Sequence, residues 1–421
     1  MMSLSRLLLV LLFATTASAS PLSDGIQRLK VSHGLAGPPP VVSPPQPAGV
    51  VLKTDMAVYP EPPLPTMGPA GSTVIDPVFG TTILRVTDST DASEVRVPYS
   101  QTPTFNVNTT RMYARAISPA GAMIIGFNPT TFTIGQKQII SSPSDGILDY
   151  NGQWSRVDPD VIYFPSRQRL WRYQISTKVW TQLYDFTSLV PPGGYVEQMS
   201  VGGTDNVFAF SKANAASSHI GYLVWKRTTN TILANVDDRG ADECQVDPSE
   251  QWLTIQMVSG NAVIRNLATG AMVHTVWGAD GFYHADTGPG TVFSADGSGT
   301  GLAVRNLTTP RTVTRILAGK FPFSNQNYSM YADNHNWALV WTQRNDAGKA
   351  AKAFENEIVQ VSLDGTNQVR RIAHHRSQWK HYHDQPNANI SRDGQFVAFS
   401  SNWGNSSGRR DLYVVKIPIA P

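Results

Sequence analysis

Gln378, His381 and His383 stand at Q-x-x-H-x-H spacing in QWKHYHDQPNANISRDGQFVAFSSNWG, residues 378–404. Imidazole nitrogens and an amide oxygen form a mixed donor set that suits Mn, Zn or another divalent ion such as Ca. On an extended chain the histidines at i and i+2 point to one side. His284, in GFYHADTGPG, supplies a third nitrogen if the fold brings it near. The same string also reads as a solvated polar loop entering a strand, and spacing alone leaves both readings open.

Other chemistries find no footing. The chain has no G-x-S-x-G elbow, no phosphate-cradling Gly-rich loop and no H-E-x-x-H pair. A single cysteine, Cys244, forbids an internal disulfide. Its acidic neighbours Asp242 and Glu243 disfavour the thiolate, so it reads as structural. A net charge of only +3 over 421 residues, with no Lys/Arg block, gives a nucleic acid nothing to hold. That weak basic excess is compatible with an acidic polysaccharide or oligosaccharide partner.

The elements that would position these residues can be read along the chain. Residues 1–19 have the layout of a cleavable secretory signal: Arg6, an apolar run from Leu7 to Phe13, then Ala17-Ser18-Ala19. No later segment has the roughly 20 apolar residues of a membrane helix, so export as a monomer without a membrane span is expected. Residues 20–75 are Pro-rich and read as a linker or surface arm.

From residue 76 to 421 a unit recurs, a polar turn followed by a short apolar strand. Its copies are NVNTTRMYARA, DPDVIYFPS, GTDNVFAFS, DPSEQWLTIQ, TGPGTVFSA, ADNHNWALVW and RDGQFVAFSS. A spacing of about 40 to 60 residues suits four-stranded propeller blades. Few charges (15%) with 33 Gly and 29 Pro fit an all-β chain of short strands and turns. The expectation is a seven-bladed β-propeller of four-stranded antiparallel blades, closed by residues 81–88 joining the last blade. Residues just before each polar turn would line the channel: Tyr99, Gln101, Gln153, Glu197, Glu243, Gln245, His284, Asp286, Asn325, Asn327, His383, Gln385 and Asn387. Trp379 and Trp403 flank the last blade, where an indole can stack on a sugar ring.

The repeat and the Q-x-x-H-x-H string resemble the oligogalacturonate lyases, seven-bladed propellers related to Tol-type WD-like propellers. AHHRS (373–377) and SRDG…SNWG (391–404) are also similar to strings of a group of secreted bacterial propellers. The lyase resemblance implies a divalent metal on His284, Gln378, His381 and His383, and β-elimination on uronate-containing glycans. β-Elimination needs the carboxylate neutralised and a base, for which Arg376 or the metal, and Lys380, His284 or Tyr382, are the respective candidates. Tyr99, Gln101, Gln385, Asn387 and Trp379 would contact substrate. The alternative is a non-catalytic propeller that binds a glycan or a protein at the channel mouth.

Overall fold

The computed structural model describes residues 50–144, 151–276, 282, 284–321, 325–344, 350–406 and 408–418, the side chains of 273–276 excepted. The expected signal segment and residues 20–49 of the Pro-rich segment lie outside the described residues. Among those described, the strands form seven antiparallel sheets in a propeller. Blade one is Val95–Arg96, Arg111–Ile117, Ala120–Asn128 and Thr133–Ile140. Blades two to six begin with the inner strands Gln153–Trp154, Tyr195–Val201, Ala241–Val246, Asp286–Gly288 and Gln326–Ser329. Blade seven joins Asn389–Ile390, Phe396–Ser401 and Asp411–Lys416 to Thr82–Arg85 and Thr73–Ile75 from the front of the chain. Ile83 pairs with Val415 and Leu84 with Val414 in that sheet. No helix among the described residues is long and apolar enough to cross a membrane.

The strands are apolar on both faces because each sheet is covered on both sides. In blade seven, Phe396 and Ala398 pack with blade one residues Phe105, Met112 and Phe127. The alternate residues Val397 and Phe399 pack with blade six residues Leu339, Trp341 and Ile358. Period-2 alternation sends successive side chains to opposite faces, so each of the seven clusters lies between two neighbouring blades.

In blades one and four the Asp or Asn of the polar turn has a backbone task. Asp247 Oδ1 accepts the N–H of Gln251 (3.1 Å) and Trp252 (2.9 Å), and its Oδ2 accepts Gly290 N–H of the next blade at 2.9 Å. Asn106 likewise accepts Thr110 and Arg111 N–H and donates to Pro159 O in blade two. These side chains satisfy turn amides that pairing leaves over, and they join neighbouring blades.

Residues 50–72 lie against blades six and seven. Pro carbonyls accept hydrogen bonds where Pro nitrogens cannot donate: Arg376 Nη1 donates to Pro62 O (3.0 Å) and Trp403 Nε1 to Pro65 O (3.0 Å). Arg371 donates to Ala57 O, lies 4.5 Å from the Tyr59 ring centroid and pairs with Glu357, both side chains fully buried. Arg371→Met leaves Glu357 buried without its cation and releases the strap. The expected loss is about 3–5 kcal/mol of unfolding free energy, read from the urea midpoint; an unchanged midpoint would show that this pair does not hold the strap.

Candidate functional site

A cavity of about 250 Å³ occupies the channel, walled by Tyr99, Gln101, Gln153, Glu197, Glu243, Gln245, Asp286 and Tyr382 among others, with Arg156 in the same wall. Inner strands converge on the axis, so polar residues from different blades meet there although they are far apart in the chain. Gln245 Nε2 (2.9 Å) and Gln101 Nε2 (3.1 Å) both donate to Ala285 O. Asp286 Oδ2 accepts Met330 N–H at 2.6 Å and Oδ1 accepts Thr287 N–H at 2.9 Å. Burial nevertheless raises the Asp286 carboxyl to about 6.

Glu243 is the most distinctive group of this wall. Burial, followed by the charge of Asp242, pushes its carboxyl up to about 7, although Gln256 Nε2 donates to it at 3.0 Å. Tyr99 is half-buried in this wall, and that burial, with the nearby Glu243 charge, raises its pKa; the Glu243 charge also acts to raise that of Tyr382. Cys244 is buried next to Glu243, and burial drives its thiol far above the usual range, which keeps it protonated.

His219, on the third strand of blade three, joins that blade to blade four through two carboxylates. Its Nε2 is 3.1 Å from Glu197 Oε1 and its Nδ1 3.2 Å from Asp242 Oδ1. Those hydrogen bonds, Asp242 first and Glu197 next, raise it to about 9.

The expected metal set does not converge. His381 and His383 are not on an extended strand: Tyr382–Asp384 is a 3-10 turn, which aims i and i+2 in different directions. The turn forms because Asp384 Oδ2 accepts the N–H of Lys380 (2.9 Å) and His381 (2.7 Å). Gln378, Lys380, His381 and His383 are exposed, and Gln378 is tied through its backbone to Asn402. His284 is half-buried, its ring 6.4 Å from that of Tyr99. Among the described residues no three His, Cys, Asp or Glu side chains are grouped to hold an ion.

Arg376 does not reach the mouth either. Its side chain is fully buried beneath the strap, 3.2 Å from Asp76. Gln385 and Asn387 are buried outside the cavity wall; Gln385 Nε2 donates to Asn325 Oδ1 at 2.9 Å, and Asn325 in turn donates to Gln343. Tyr99, Gln101 and Tyr382 line the cavity, and Trp379 is 37% exposed on the loop that carries Tyr382. Residue spacing also missed an ionic group beside this loop, formed by Glu94, Arg96, Asp384 and Arg410.

No protein-family model matches the sequence, and a comparison with curated proteins gives no match. Solved structures do match. An oligogalacturonate lyase from Vibrio parahaemolyticus superposes with a TM-score of 0.64 at 11% identity, covering 82% of this chain and 96% of that one. The fold is shared with the oligogalacturonate lyases. A second such lyase, in complex with manganese, gives 0.60 at 13% identity over 83% of this chain and 99% of its own. The WD40 domain of Neurospora crassa Pan2 gives 0.49 at 13% identity, over 76% and 90%. Identities this low speak for the fold alone, and the manganese is that neighbour's.

His219 holds its proton in the fold up to about 9, against an ordinary value of 6.5. Its stabilisation is therefore complete below about 6.5 and is lost as pH rises through about 9. The melting temperatures of the wild type and of His219→Gln should differ at about pH 6 and converge by about pH 10. A gap that does not change with pH would remove the ion pairs from the account.

Proposed function

We propose that the protein is an exported, monomeric β-propeller that takes a uronate-containing glycan at its channel mouth and cleaves it by β-elimination. The observation that carries this reading is Glu243, a cavity carboxyl held near neutrality beside two tyrosines that keep their protons. A base works best when its pKa is close to the operating pH. The likeness in fold to two structures described as oligogalacturonate lyases supports the substrate class.

In this reaction ionised Glu243 removes the proton on the carbon next to the uronate carboxyl. The electron pair forms a carbon–carbon double bond as the bond to the glycosidic oxygen breaks, and Tyr382 or Tyr99 donates a proton to that oxygen. The other carboxylates of the wall are already engaged: Glu197 pairs with His219, and Asp286 holds backbone N–H groups. Each step is carried by side chains of this chain. The exposed aromatics Trp379 and Tyr382 also favour a second reading, a mouth that holds a glycan without cutting it.

Incubation with oligogalacturonate, read by ultraviolet absorbance of the unsaturated product, separates the two. The expected rate rises with pH and levels off above about 7, where Glu243 is ionised. Glu243→Gln should lower it by about 10²–10⁴-fold with the melting temperature retained. Binding without any unsaturated product would select the second reading.

A further inference from the structure

The ionic group beside the mouth contains one guanidinium with unused donors. Arg96, on the inner strand of blade one, is 9% exposed and meets Glu94 Oε1 through Nε at 2.7 Å. Among the described residues neither of its terminal nitrogens makes a hydrogen bond. Arg410 is differently placed: Nη1 donates to Glu94 Oε2 (2.7 Å), and Nε (2.9 Å) and Nη2 (2.7 Å) donate to Asp384 Oδ1. Its fork is engaged, and through Asp384 it fixes the turn that sets Tyr382 in the cavity wall.

The terminal nitrogens of Arg96 are not sealed in the fold but reach solvent, where an incoming anion can meet them. Burial, and then the neighbouring Arg115 and Arg410 charges, act against the charged form of Arg96, with Glu94 opposing them. His383, the residue before Asp384, feels the charges of Arg96, Arg410 and Arg115 together. A planar anion that takes two parallel N–H groups is the complement of this geometry, and a carboxylate is such an anion.

We propose that the terminal nitrogens of Arg96 receive the carboxylate of a sugar acid at the channel mouth, while Arg410 and Asp384 position the Tyr382 turn beside it. The inference rests on the uronate reading above and names its recognition element, which replaces the expected Arg376. Neutralising that carboxylate acidifies the adjacent C–H bond, which gives Arg96 a part in the elimination as well as in binding.

The test is calorimetric titration of the full chain with trigalacturonate and with its carboxyl-reduced, uncharged counterpart. The wild type should bind the acid at least about tenfold more tightly, and Arg96→Gln should bring that ratio close to one. Arg96→Lys, which keeps the charge without the fork, should fall between. Undiminished discrimination in Arg96→Gln overturns the proposal. Cleavage that is indifferent to Arg96 would sink this inference and leave the lyase reading standing. Arg96-dependent binding without cleavage would do the reverse, and failure of the wild type to bind either sugar would overturn both.

Discussion

Every sheet in this molecule is apolar on both faces, and that single requirement sets the rest of the structure. A sheet of this kind must be covered on both sides, and identical neighbours supply the cover only if the row closes on itself. Blade seven shows how closure is reached: Leu84, from the front of the chain, packs into the cluster shared with blade one, and Ile83, the next residue along, into the cluster shared with blade six. The strand contributes to two cores at once. The buried faces leave only the inner edges and the loop ends free to vary, so the chemistry collects there.

Burial of polar groups at those inner edges has to be balanced by hydrogen bonds. Most are. Asp286 holds the Met330 amide of the next blade, and Asn389 accepts Thr104 N–H and donates to Thr102 O across the closing seam. Gln385, Asn325 and Gln343 form a chain of amides that ends on the carbonyls of Ser377 and Asp384. These side chains build the scaffold. Glu243 and Arg96 differ, because a carboxyl without a direct cation and a guanidinium with idle donors are ionic groups the scaffold does not fully use.

The repeat was legible because its cause is local. Alternation as in RDGQFVAFSS recurs, as does an Asp or Asn in the turn before the second strand of every blade but the fifth, and each reports on its own few residues. The site was legible only where it follows from that geometry, as for Tyr99, Gln101 and Glu243. The rest depends on partners remote in the chain. Arg376 is removed from the mouth by Asp76 and Pro62, about three hundred positions earlier. The 3-10 turn at 382–384 depends on Asp384, whose charge is held by Arg410, 26 positions further on and just ahead of the strand Asp411–Lys416, and spacing could not tell it from an extended entry. His219 has its role from two carboxylates on different blades.

Asp384 is the point where scaffold and site meet. Burial works against its charge, but N–H donation from His381 and Lys380 and the Arg410 guanidinium more than offset this, and its carboxyl is held below the usual range. It therefore stays ionised across the pH range in which Glu243 titrates, and the turn it caps keeps its shape while the cavity carboxyl changes charge. A tyrosine on such a turn is presented in one orientation, with no reorganisation required when substrate arrives. The opening Q-x-x-H-x-H string thus matters less for its imidazoles than for the aspartate that follows them.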